Sequence, residues 1–180
     1  MVFDGHSDLL YDVTRRRLAG EDHVLERCHL DRLRHGGVEG LVLALWTSAA
    51  GGETFWKDVR PTRTDADRME IMMACARAEF AECPWLAIVR TAGEAERARS
   101  EGKLYAFLAI EGMAAIGEDL GGIDLCHAFG ARIGMLTWNE ENCLATGAGG
   151  DPYSGLTDLG RQAVRRMWDL GMLADVSHLN

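Results

Sequence analysis

The chain has 180 residues, 47% of them hydrophobic and 26% charged, a balance that supports a buried core and excludes disorder over most of the length. With 19 basic against 28 acidic residues the net charge is -9, which argues against nucleic acid or an anionic membrane as partner, since both need a basic surface. The longest unbroken apolar run, residues 104–110, falls far short of the about 20 residues of a membrane span.

Short apolar runs alternate with helical patterns along the chain. Residues 2–5 read as a brief strand, and residues 30–34 as the end of a helix stopped by Gly36-Gly37. Residues 40–46, entirely apolar, read as a strand buried on both faces. A polar loop over residues 47–61 leads to Thr64, which can cap a helix running to about Glu82. Met69, Met72 or Met73, Ala76 and Phe80 recur along it at three- and four-residue spacing, as a core stripe does.

A short apolar run at 86–89 precedes a charged helix capped by Thr91, spanning 94–101 and stopped at Gly102. The strand 104–110 ends at Glu111-Gly112. A helix at 123–129, a strand at 132–137 and a glycine-rich loop at 145–155 follow, the loop reading as a mobile cover. The helix 157–170 then stops at Gly171, and a last strand at 172–176 closes with Ser177-His178. Such alternation means a parallel sheet, either an open doubly wound α/β fold or a (β/α) barrel.

The chemistry concentrates at strand ends. In Asp4-Gly5-His6-Ser7-Asp8, residues two apart on an extended segment face the same side, so His6 and Asp8 can share one cation. Glu111 and His178 follow two other strands. Both α/β architectures place their sites at the C-terminal ends of strands, so His6, Asp8, Glu111 and His178 form a candidate metal cage. Asp175 could orient a ligand histidine. His23, His29, His35 and His127 read as surface or core histidines. Five cysteines, an odd number with no C-x-x-C pair and no leader-like N-terminus, point to a reducing, cytoplasmic compartment.

Asp4-Gly-His-x-Asp8 resembles the opening of the membrane (renal) dipeptidase family. So do Ala109-Ile-Glu-Gly112, Met135-Leu-Thr-Trp-Asn139, Gly155-Leu-Thr-Asp-Leu-Gly160 and Leu170-Gly-Met-Leu-Ala-Asp-Val-Ser-His178, in the same order across the whole chain. The resemblance implies an α/β fold of the (β/α)8 TIM-type barrel class and hydrolysis of dipeptides by a hydroxide bridging two divalent metals. Zinc is the metal it implies, with another divalent ion as the alternative. His6 and Asp8 would bind the first ion, His178 the second, and Glu111, the catalytic carboxylate, would bridge them. A homodimer is a further implication.

Trp138 stands where mammalian members carry a substrate-contacting histidine. Indole cannot accept a proton, so Trp138 and Asn139 are expected to contact substrate without acid–base chemistry, with Asn139 or Asn142 polarising the carbonyl. Two other functions remain open at this stage. One is a metal-dependent barrel hydrolase acting on lactones, amides or phosphoesters. The other is a non-catalytic dipeptidase fragment.

Length bears on that choice. A (β/α)8 barrel normally needs about 250 residues. Five barrel strands are legible, ending near His6, Trp46, Ile110, Thr137 and His178, with the run at 86–89 peripheral. The family's remaining metal histidine, and its substrate-binding arginine and aspartate, lie later than Asn180. Residues 1–180 are therefore expected to be the N-terminal part of a single barrel domain.

Overall fold

The computed structural model describes residues 2–47, 56 and 64–180. They fall into two compact units, one made of Met1–Leu45 with Ile71–Leu108, the other of Trp46–Glu70 with Ala109–Asn180.

In the first unit β1 (Val2–Ser7) turns at once into α1 (Leu9–Leu18). Leu10, Val13 and Thr14 are its buried residues, a three- and four-residue spacing that defines one helix face. A six-residue π-helical turn (Leu25–Leu30) runs directly into α2 (Asp31–His35). Next come β2 (Val38–Trp46), α3 (Asp65–Ala81, of which the residues up to Glu70 belong to the second unit), β3 (Leu86–Ile88), α4 (Ala92–Ser100) and β4 (Leu104–Glu111).

The strand order here is β1-β2-β4, with β3 paired to β4 off that path. β1 runs parallel to β2 with Val2 opposite Val38 and Ser7 opposite Leu43, and β3 parallel to β4 with Leu86 opposite Leu104. The peripheral place expected for residues 86–89 is the one observed. One apolar cluster gathers Val13, Val24, Leu25 and Cys83, and another Val89, Ala95 and Ala98. Beside the first, the fully buried Glu79 carboxylate accepts hydrogen bonds from Arg17 and from the Leu25 N–H. A buried charge is tolerable only when paired in this way.

α3 begins at a reciprocal cap. The Thr64 hydroxyl accepts from the Asp67 N–H at 3.1 Å, and the Asp67 carboxylate accepts from the Thr64 N–H at 2.8 Å. Met69, Met72, Met73 and Ala76 are buried as the stripe requires, and Phe80 is half-buried.

The second unit contains the end of β4, a 3-10 turn (Ala114–Ile116), α5 (Gly121–Phe129), β5 (Ala131–Met135), α6 (Asp158–Asp169) and β6 (Leu173–Asp175). Its strand order is β4-β5-β6, with Ile133 opposite Leu173 in a parallel pair. Thr157 caps α6 by accepting from the Gly160 N–H at 2.9 Å, as Thr91 caps α4 through Glu94. Gly171 ends α6 at φ +68°, a backbone region that glycine enters without a Cβ clash.

The sequence reading names no helix at α1, although its apolar spacing is visible, and the arginine run 15–17 forms its last turn. The last strand is shorter than expected. β6 ends three residues before His178, because the Asp175 carboxylate accepts from the Ser177 N–H at 2.8 Å and turns the chain. The loop read over residues 47–61 lies outside the described residues, except for Thr47 and Trp56. Among the described residues, no helix is long and apolar enough to cross a membrane.

Candidate metal centre

In the first unit the donors sit where β1 becomes α1. Asp8 occupies the N-cap position of α1, yet its side chain makes no capping hydrogen bond. Its carboxylate Oδ1 instead lies 3.5 Å from His6 Nε2. An aspartate cap is ordinarily worth about 1 kcal/mol, so here the carboxylate is turned from helix stabilisation toward the imidazole. Asp4 holds the segment from behind, its Oδ1 accepting from the His6 N–H at 3.2 Å. The sequence places both donors on one extended segment; in the structure β1 ends at Ser7 and Asp8 reaches His6 from the turn beyond it.

In the second unit Glu111 is the last residue of β4, with only 6% of its side chain exposed. Gly112 must follow it. Its φ is +77°, and a Cβ there would press on the Trp138 N at 3.2 Å. The freed chain then bonds to the end of β5, Gly112 N–H donating to the Met135 carbonyl and Met113 N–H to that of Leu136.

His178 Nε2 lies 3.2 Å from Glu111 Oε1, and its Nδ1 lies 3.0 Å from the Asn139 Oδ1. The histidine has φ +65°, a strained region for a residue with a Cβ. Its carbonyl is held there by the Ala148 N–H at 2.8 Å and the buried Thr137 hydroxyl at 3.3 Å. Trp138 flanks the ring at 6.2 Å between centroids and packs edge-on against Trp46 at 5.3 Å.

The donor chemistry fits a divalent cation. Two donors each about 2.0–2.1 Å from one tetrahedral zinc stand about 3.3 Å apart. The two measured separations, 3.5 Å for His6 and Asp8 and 3.2 Å for Glu111 and His178, straddle that edge. Imidazole with carboxylate is also a donor mixture that zinc accepts.

Other expectations change. Asn142 is tied to backbone: Nδ2 donates to the Leu136 carbonyl, and Oδ1 accepts from the Leu144 and Ala145 N–H groups, which leaves one N–H of Nδ2 for any contact with a substrate carbonyl. Asp175 is likewise spent on its own turn and does not orient His178. The glycine-rich loop is tied down by backbone bonds, from Gly147 N–H to Glu140, from Gly149 to Asn139 and from Ala148 to His178. Thr137, whose hydroxyl supports His178, carried no separate signal in the sequence beyond its place in the Leu-Thr-Trp-Asn segment.

A family model described as membrane dipeptidase (peptidase family M19) matches residues 1–180. The chain belongs to that family. A solved family M19 metallopeptidase, dipeptidase AC, superposes with a TM-score of 0.80 at 26% identity, covering 99% of this chain and 58% of that one. A metallopeptidase from Rhodobacter sphaeroides, liganded with a phosphinate mimic of the dipeptide L-Ala-D-Ala, gives 0.82 at 25% identity, with 99% and 59% covered.

An uncharacterised dipeptidase of Schizosaccharomyces pombe is 34% identical over 86 residues, 46% of this chain and 21% of the relative. The chain spans less than three-fifths of these two solved metallopeptidases. An amidohydrolase from Pseudomonas aeruginosa, 17% identical with a TM-score of 0.69, shares the fold alone. The class is the expected one, an α/β TIM-type barrel fold of the M19 dipeptidases, with β1, β2, β4, β5 and β6 as its five strands in this chain.

Proposed function

We propose that this M19 chain carries the metal-binding half of a dipeptide-hydrolysing centre. In this reading His6 and Asp8 serve one divalent ion, His178 a second, and Glu111 both. The observation that carries it is the Glu111–His178 pair, a buried carboxylate and an imidazole at a tetrahedral-edge distance in a chain of this family. Bound divalent ions would supply Lewis acidity toward the scissile carbonyl and a water activated at neutral pH.

The protein's own part is positional. Glu111 brings carboxylate oxygens fixed on a buried strand end. The His178 backbone is clamped by Thr137 and Ala148. Trp138 forms an apolar wall against Trp46 and neither takes nor gives a proton in the reaction. The phosphinate mimic bound by the R. sphaeroides relative supports a dipeptide substrate, L,D stereoisomers included, and zinc is the ion proposed. A cytoplasmic location is proposed with this reading on the odd number of cysteines in the sequence.

The test is zinc titration by calorimetry together with a panel of dipeptides that includes L-Ala-D-Ala. Zinc binding by the wild-type chain, weakened in Glu111→Gln and His178→Ala, is expected. No zinc binding and no hydrolysis would refute the proposal.

A further inference from the structure

Asn139 was expected to touch substrate, but the structure commits its amide oxygen elsewhere. Oδ1 lies 3.0 Å from His178 Nδ1. An amide oxygen can only accept, so the ring nitrogen facing it must carry the hydrogen. A neutral imidazole has one N–H, and placing it on Nδ1 leaves the Nε2 lone pair free. Nε2 then faces Glu111 Oε1 at 3.2 Å, acceptor toward acceptor, a pair that a shared cation would join. The opposite tautomer would aim an Nε2–H at the carboxylate, making a closed hydrogen bond with no lone pair for a cation.

The amide bond is not needed to hold the chain in place. The His178 carbonyl already accepts from Ala148 and Thr137, the next residue bridges to Gly147, and the Asn180 N–H donates to the Thr146 carbonyl. Asn139 is anchored independently, its carbonyl accepting from the Gly149 N–H at 2.9 Å. The side-chain contact therefore acts on the ring alone, on its rotation and on its proton.

We infer that Asn139 is a positioning residue that selects the Nδ1–H tautomer of His178 and so presents Nε2 as a metal donor. The inference rests on the reading of His178 as a metal ligand, and it gives Asn139 a role through that histidine rather than through substrate. Partners that orient a ligating histidine are typically worth ten- to a hundredfold in metal affinity.

The test is nitrogen-15 NMR of the histidine side chains in the metal-free protein, at a pH where the rings are neutral, paired with zinc titration of the same samples. Wild type is expected to show His178 with its hydrogen on Nδ1. Asn139→Ala is expected to mix or invert the tautomer and to weaken zinc binding ten- to a hundredfold. Asn139→Asp, which keeps an acceptor in place, is expected to restore the tautomer and bring the affinity to within a few-fold of wild type. An unchanged tautomer and affinity in Asn139→Ala, in a sample with the wild-type unfolding midpoint, would overturn the inference, as would failure of the aspartate to rescue. A wild type that shows the Nδ1–H tautomer, lost in Asn139→Ala, but binds no zinc would support the tautomer control and refute the metal reading, so the two failures are distinguishable.

Discussion

Glu111 and His178 meet at 3.2 Å, although one is the last residue of β4 and the other lies three residues beyond β6. The contact depends on two backbone departures, φ +77° at Gly112 and φ +65° at His178. Strain of that kind costs on the order of 1–3 kcal/mol for a residue with a Cβ, and it persists only where surrounding bonds enforce it. Removing the charge while keeping the shape separates the carboxylate's two costs. Glu111→Gln is expected to lower zinc affinity by more than about a hundredfold, since residues that merely orient a ligand already cost ten- to a hundredfold. Its metal-free unfolding midpoint should fall little or rise, because a buried carboxylate is costly to desolvate. A variant that loses stability as heavily as zinc affinity would make Glu111 a structural residue.

Gly160 lies in α6 directly under the Leu144 carbonyl, so a Cβ there would overlap that oxygen and press on Leu156. Glycine to alanine inside a helix normally gains about 0.8–1 kcal/mol. Overpacking against backbone costs about 1–3 kcal/mol, so the sign should reverse. Gly160→Ala is expected to destabilise by about 1–2 kcal/mol in urea unfolding. Gly93→Ala, in α4 with open space around the new Cβ, should stabilise by a few tenths to about 1 kcal/mol. Equal shifts in the two variants would show that the Leu144 contact does not matter.

Much of this fold is legible in the sequence, because apolar runs and capping residues act locally. Thr64, Thr91 and Thr157 mark three helix starts, and each makes the backbone bond its position implies. α1 was missed because the arginines at 15–17 dominate its last turn and obscure the Leu10, Val13, Thr14 face. The four candidate ligands could be named from residue types at strand ends. The destinations of Asn139, Asn142 and Asp175 could not. An amide or carboxylate in a turn has several backbone and side-chain partners within reach, and only the path of the chain decides among them.

Stability should depend on pH through Glu82. The Arg17 guanidinium, at 2.8 and 2.9 Å, and the His23 N–H, at 2.9 Å, hold its carboxyl well below the ordinary 4.5, at about 2. A folded value below the unfolded one means stability that is fully present above about pH 4.5 and lost as pH falls toward 2. Urea midpoints of wild type should decline through that window. Glu82→Gln should be less stable near neutrality and should show a shallower acid decline. Parallel curves for the two proteins across that range would remove Glu82 from the account.

The thiols should divide by burial. Desolvation pushes the buried Cys126 thiol up to about 12, and Cys83 reaches the same value through burial and the negative charges of Glu79, Glu26 and Glu82. At neutral pH a thiol with that value is roughly one part in 10⁵ thiolate, against a few per cent for an ordinary cysteine, and only the thiolate attacks. Cys143 is exposed. A maleimide reagent followed by peptide mass spectrometry should therefore label Cys143 first in the folded protein, and Cys83 and Cys126 only after denaturant is added. Labelling of Cys126 at the rate of Cys143 under native conditions would mean that α5 opens far more often than its buried face, Ile123 and Cys126, implies.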